Sequence, residues 1–558
     1  MNSLKLHIAI LILFMVPVTL VAQEKWEKPP GGIENAQVVI EKDKVIKLRP
    51  VSRRFKAINI EIPQAKPLSF NYQLAEAVDS LPSLQVIVRP KTMRDQPLDK
   101  FYSLNGKIGY GNYQSPYALF NAGTKRSDEY MLNAYFNHYS SGKGPVLDDF
   151  SSEGVTAIGI SGKYFLNNLT FSSNANYKHH GYNIYGYNEI EYANAPIDRA
   201  TLEQSLNIFS FNVALADNNL KDDTDQKLAL GINYLKNNHE VSEFMFDLNY
   251  DFSSKLNDDF SIDALFDLTT FSQNDTVGGS ASRMLLQLRP VVSYQLDKFT
   301  VKAGVNAVSQ NDPLEMGERK YHFFPVLGLN YELSSDHQFR ALIEGNVEKV
   351  SLNRLYDENP YLDSLVQANN NINNFSGLIG LDGKLLNNLG YSVSYNYKHY
   401  SRIMFYQNDV LDTARFDIVY DQGGASVNRF SGKLDYLLND NFNISGLIAY
   451  NAYTTTDQVE AWHMPTFEAS ISSDFKIINN LRGHLTYFLL SGIKAQTAAG
   501  LTKTLDIVND FNAGLELTFT ERAGIFVEFM NVFGSNYQLY NNYPVKGFQV
   551  IGGLSYKF

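Results

Sequence analysis

The last twelve residues constrain the chain more than any other stretch. In Gly547–Phe558, the residues Phe548, Val550, Leu554, Tyr556 and Phe558 share one parity, with Gly552 the gap among them. The other parity holds Gly547, Gln549, Gly553, Ser555 and Lys557, with Ile551 its one large apolar member. Alternation with a period of two makes a strand with one apolar and one polar face. A strand of this kind that finishes on an aromatic residue needs a partner for its free edge. A transmembrane β-barrel supplies one by pairing the last strand with the first. The five apolar residues are the expected C-terminal barrel-assembly signal, read by the barrel-assembly machinery.

The N-terminus fits export. Lys5 and His7 form a short positive region, Ile8 to Val18 an apolar core broken only by Pro17, and Leu20-Val21-Ala22 a small-residue cut site. Residues 1–22 are therefore expected to be a cleaved signal peptide, with the mature chain starting at Gln23. Beyond it no apolar run is long enough for a membrane helix. Absence of Cys leaves no disulfide framework and no lipid anchor.

Residues 23–100 have a different texture from the rest. They hold 8 of the 18 prolines and carry 14 Lys+Arg against 10 Asp+Glu, a net of +4. Short β-like runs such as Ile58–Ile62 and Leu84–Val88 are cut by Pro63 and Pro90, which block continued pairing. The expectation is an extended Pro-rich arm, periplasmic or luminal, without a large core of its own. The whole chain has a net charge of −11, so a basic arm precedes an acidic body, a balance that argues against nucleic acid as a partner.

From Phe101 onward, alternating runs of ten to eighteen residues are separated by tight polar turns such as Asn167-Asn168, Ser334-Ser335-Asp336, Asn387-Asn388 and Asn479-Asn480. Asn and Asp suit hairpin turns because they tolerate positive φ or bond their own backbone. Longer polar loops fall near 141–153, 186–202, 311–320, 352–373, 494–502 and 536–545. Strands are expected to start at 101, 115, 128, 154, 168, 203, 225, 240, 257, 281 and 298. The later ones start at 321, 337, 374, 389, 413, 441, 463, 480, 503, 521 and 546. The fold class is thus all-β: a transmembrane antiparallel barrel of about 22 strands over residues 101–558 with a short N-terminal arm. Tyr391–Tyr436 reads as one long hairpin projecting beyond the membrane around Gln407–Thr413. In the strand from Phe511, the row Phe511, Ala513, Leu515, Leu517, Phe519 should face lipid, and Asn512, Gly514, Glu516, Thr518 a wet lumen.

The last hairpin carries a family resemblance. Phe526–Gly534, a loop with Tyr537, Tyr540 and Tyr543, and the terminal strand resemble the final two strands of TonB-dependent receptor barrels. The resemblance implies a 22-strand outer-membrane receptor. The chain departs from that family before its barrel: only 78 residues lie between Gln23 and Lys100, Pro-rich where the family has a folded plug. TonB coupling is left open by the absence of a recognisable TonB box. The segment Ile33–Asp43 followed by a plugless barrel resembles receptor-like outer-membrane proteins of this kind.

No nucleophile elbow, metal-spaced His/Glu pair or P-loop stands in the sequence, so no enzyme, cofactor or metal is expected. His179-His180 reads as part of an interfacial girdle, and Asp222-Asp223-Thr224-Asp225 as a solvated turn. Asp148-Asp149, Asp357-Glu358 and Asp363 fall in outward loops, either binding cations that bridge lipopolysaccharide or keeping the loops soluble. A lumen of this width leaks unless filled. The basic arm either enters it, with Arg53, Arg54 and Lys56 as candidate lumen contacts, or hangs in the periplasm as a docking strand. The expected function is solute uptake or passage across a Gram-negative outer membrane. The alternative is a structural or assembly-partner subunit of an outer-membrane complex.

Overall fold

The computed structural model describes residues 103–558, apart from 126, 188–198, 218–222, 276–278, 364–365, 411 and 440. The expected signal peptide, the 23–100 arm and its Arg53, Arg54 and Lys56 lie outside the described residues. Within them most strands form one antiparallel ring, and two short hairpins, Lys494–Gln496 with Thr502–Thr504 and Gln538–Tyr540 with Tyr543–Pro544, stand apart from it. Its first strand, Leu104–Gly111, pairs on one side with Ser115–Gly123 and on the other with the last strand, Gln549–Lys557, in a register running from Asn105↔Lys557 to Gly111↔Ile551. The sheet counts 23 strands, but Phe416–Asp421 pairs only with the far end of its neighbour Leu389–Asn408, which leaves 22 in the closed ring. Closure leaves no unpaired edge, the condition for a sheet in lipid.

All but one of the expected strand starts lie within five residues of the observed ones. The exception is instructive. The run expected from 413 divides at Gly424, whose φ of +103° suits glycine. Residues 416–421 return along the projecting hairpin, and Ala425–Asn439 enters the wall. The long hairpin expected over Tyr391–Tyr436 is therefore present, with its pairing Ile403↔Asp421 to Asn408↔Phe416 standing beyond the ring.

Side-chain parity sorts the wall into two faces. Outward stand Ile108, Ile158, Ile160, Leu228, Leu230, Val301, Leu327, Ile379, Leu434, Ile448 and Leu554, all exposed. Tyr130, Tyr164, Phe260, Phe299, Phe519 and Phe558 form an aromatic rim at the tight-turn end. Exposure of so many large apolar side chains on a closed ring is stable only in lipid. The predicted faces of the last strand hold. Phe548, Leu554, Tyr556 and Phe558 are exposed outward, whereas Gln549, Ile551 and Ser555 are buried inward. Gln549 accepts a hydrogen bond from the Tyr139 hydroxyl at 3.0 Å, and Ser555 donates to Glu516 at 3.0 Å. Glu516 also meets Lys107 of the first strand at 2.8 Å, so the polar row expected opposite Phe511–Phe519 bonds across the closing seam.

Candidate functional site

The largest buried core of the described residues lies in the loops. It gathers Ile184, Leu352, Leu355, Tyr361, Phe416, Tyr537, Tyr540 and Tyr543 with inward residues from the loop ends of the strands. Loops that are merely solvated would not bury their aromatics. These fold over the mouth of the barrel.

The centrepiece is the loop 349–370, called the lid below. Its helix, Leu352–Glu358, is started by Ser351, whose hydroxyl accepts from the Arg354 amide, and steadied by Arg354 Nε donating to Glu358 at 2.8 Å. The lid then crosses the lumen. On one wall Tyr182, of the fifth strand, donates through its hydroxyl to the Pro360 carbonyl at 2.6 Å. On the opposite side Tyr406, in the part of the fifteenth strand that projects beyond the ring, donates to Glu358 Oε2 at 2.6 Å. Between them Tyr361 stacks on Tyr543 with ring centroids 3.5 Å apart, and Tyr540 donates to the Glu358 carbonyl at 2.8 Å. A parallel bridge, Leu362↔Phe416, ties the lid to the projecting hairpin. The Tyr-rich loop read in the sequence is thus one part of a closure shared by several loops.

Both stems of the lid are held by one buried ion cluster. Arg283 Nη2 donates to the Val350 carbonyl at 2.9 Å and lies 3.5 Å from Glu243, which accepts from the Leu352 amide at 2.8 Å. Arg402 Nε donates to the Asn370 carbonyl at 2.8 Å and pairs with Asp312, which accepts from the Asn370 amide at 2.9 Å. Side chains of Arg283, Glu243, Asp312 and Arg402 are each no more than 4% exposed. Such a cluster adds little net stability, yet each member is costly to remove because its partner stays behind as a buried charge.

Two expectations about single residues change. His179-His180 is split by strand alternation: His179 shares Asn207 with the outward Tyr177, as a girdle residue would, but His180 is buried inward, 3.3 Å from Glu153. Glu358 is no solvated loop carboxylate, since it anchors Arg354 and Tyr406. Asp148 and Asp149 do lie in an exposed turn, where Asp148 meets Lys143 at 2.9 Å. Asp363, Asp409 and Asp417 bring carboxylate oxygens within 4.8 Å of one another, and burial and the Asp409 carboxylate push the Asp417 carboxyl up to about 6.

Below the lid the lumen is polar. Lys349 at the lid's first stem bonds Asp247 and Asp267 at 2.9 Å each, Arg289 meets Glu344, and Arg429 meets Glu468 at 3.1 Å. A cavity of about 620 Å³ opens here between the lid's underside and the wall.

A closed, lipid-facing ring of 22 strands with an inward-folded lid and a polar lumen defines a large transmembrane β-barrel. The resemblance of the last hairpin to TonB-dependent receptor barrels holds at the level of the fold. The chain is similar to the FrpB iron transporter from Neisseria meningitidis (F3-3 variant), at 10% identity and a TM-score of 0.63 over 83% of this chain and 82% of that one. It is also similar to the siderophore receptor PirA from Acinetobacter baumannii (11% identity, TM-score 0.62, 83% and 81%). The ferric-catecholate import receptor Fiu from K12 E. coli gives 9% identity and a TM-score of 0.60 over 82% of each chain. No family model and no curated protein matches the sequence.

Proposed function

We propose that this protein is an exported outer-membrane receptor that mediates uptake or passage of a solute through its lumen. The single observation that carries the reading is the lid: the mouth of a wide polar lumen is closed by loops that cross from the fifth strand to the fifteenth. A wall that merely displayed a docking surface would have no need of a closure tied by a buried ion cluster. Receptors for iron and siderophores among the similar structures support the same reading. The net positive charge of residues 23–100 against an acidic remainder makes the arm a candidate second closure, with Arg53, Arg54 and Lys56 as its candidate lumen contacts and a periplasmic docking strand as the alternative. Catalysis plays no part.

Single-channel conductance in planar bilayers tests this. The full chain stays closed. Variants lacking residues 351–368, residues 23–100, or both are compared, and conductance rises when the closures are gone. A barrel that stays closed with both removed would overturn the reading.

A further inference from the structure

We propose that the cavity under the lid is a binding site for a neutral, hydroxyl-rich solute of saccharide type. The inference rests on the uptake reading and names the class of solute. The floor of the cavity is made by small inward residues on neighbouring strands, Ala214, Ala229 and Gly231. A Cβ on Gly231 would lie 2.8 Å from Asn212 Oδ1, so glycine here is what leaves room. Around that floor stand the amides Asn174, Asn212 and Asn249, and the roof is the lid's own Ser351 and Arg354.

The chemistry of this lining favours hydroxyls. An amide both donates and accepts, as does a hydroxyl, so a row of Asn side chains matches a polyol at several points. Asn212 Nδ2 and Asn176 Nδ2 already donate to Asn174 Oδ1 at 3.1 Å each, which orients the row. Two of the three cations at the cavity are held in ion pairs. Lys349 is held between Asp247 and Asp267, Arg354 Nε bonds Glu358, and Lys227 stands in register opposite Asp251. A site built for an anionic chelate would leave positive charge in excess; here carboxylates hold two of the three cations. Because Ser351 and Arg354 belong to the lid, the bound solute touches the closure itself.

Ligand-detected NMR on the full-length barrel, in a detergent without a sugar headgroup, provides the test. The probes are maltose and maltotriose, with citrate as the anionic comparison. Binding of the neutral probes is expected, either to the full chain or to the variant lacking 351–368. Asn212→Leu with Asn249→Leu weakens it about tenfold through two lost hydrogen bonds. Ala229→Phe, which fills the floor, abolishes it, and Met316→Ala, at an exposed residue outside the cavity lining, changes it less than about twofold. Citrate binding that depends on Lys227 would overturn the proposal, as would no maltodextrin binding to either form. Conductance through the unlidded barrel separates these failures from failure of the uptake reading.

Discussion

Replacing Arg283 by Met isolates the cluster that holds the lid stems. Arg283 is 2% exposed, between Glu243 at 1% and Asp312 at 0%. Asp312 keeps Arg402, so the charge orphaned is Glu243, which retains the Leu352 amide as a donor. The Val350 carbonyl loses its guanidinium donor as well. Breaking one side of a buried pair costs about 3–5 kcal/mol. With Glu243 still partly satisfied the lower end applies, about 3 kcal/mol, or roughly 100-fold at 1.4 kcal/mol per decade. The loss falls on the lid rather than the ring, because the wall's backbone ladder is untouched. Hydrogen exchange over 350–358 should therefore speed up by roughly 100-fold while strands such as Leu169–Asn183 keep their protection. The double variant Arg283→Met with Glu243→Met removes the orphan and should recover lid protection to within about tenfold of wild type. Unchanged exchange in the single variant, or a double variant worse than the single, would refute the reasoning.

Three further outcomes are expected. Burial pushes His463 down to about 4, with Nδ1 bonded to the Tyr406 carbonyl and Nε2 accepting from the Asn541 amide. The unfolded chain then binds the extra proton first, so this stability is present above the ordinary value of about 6.5 and is lost as pH falls toward 4, by about 3 kcal/mol at most. Trp462 emission in a Trp26→Phe background should report loosening over that window, and His463→Gln should flatten the profile. Tyr361→Ala removes the ring stacked on Tyr543 and should cost the lid about 3 kcal/mol by denaturant-dependent exchange, whereas Met316→Ala, at 94% exposure, should leave exchange unaltered. Phe558→Ala should slow insertion into bilayers in a refolding assay while leaving the melting of the inserted barrel within a few degrees of wild type. A large drop in that melting temperature would mean the terminal ring is structural rather than part of an assembly signal.

The ring was legible in the sequence because lipid on one side and water on the other force a strict period of two. Runs such as Phe511–Thr518 display it without help from tertiary structure. Tight turns were legible because Asn and Asp mark them. The lid was not. Tyr537, Tyr540 and Tyr543 fall in a loop with no period, and nothing local says that their partners are Tyr361 and Phe416 far along the chain. The loop 455–466 was missed for a related reason: Ala461 and Trp462 are buried against Tyr400 and Phe405, so a loop core looks like the start of a strand at 463. The ion cluster was equally hidden, since Glu243, Arg283, Asp312 and Arg402 come from separate elements. The cavity had one signal that could have found it. The inward residues Ala229 and Gly231 are small where their neighbours on other strands carry amides.

The pairing of Leu104–Gly111 with Gln549–Lys557 also fixes an order of events in time. The seam joins the first and the last of the described wall strands, so every strand between them must be made before the ring can close. Until then Leu104–Gly111 presents an open edge, and the outward apolar row presents itself to water. The long contact separation makes the closing step slow on its own. A chain of this design must therefore be delivered to its membrane as an unclosed sheet or an unfolded thread, kept from pairing with its neighbours during transit. Lys107, Glu516 and Ser555 then lock together only when the last strand arrives, which makes the seam the final checkpoint of assembly.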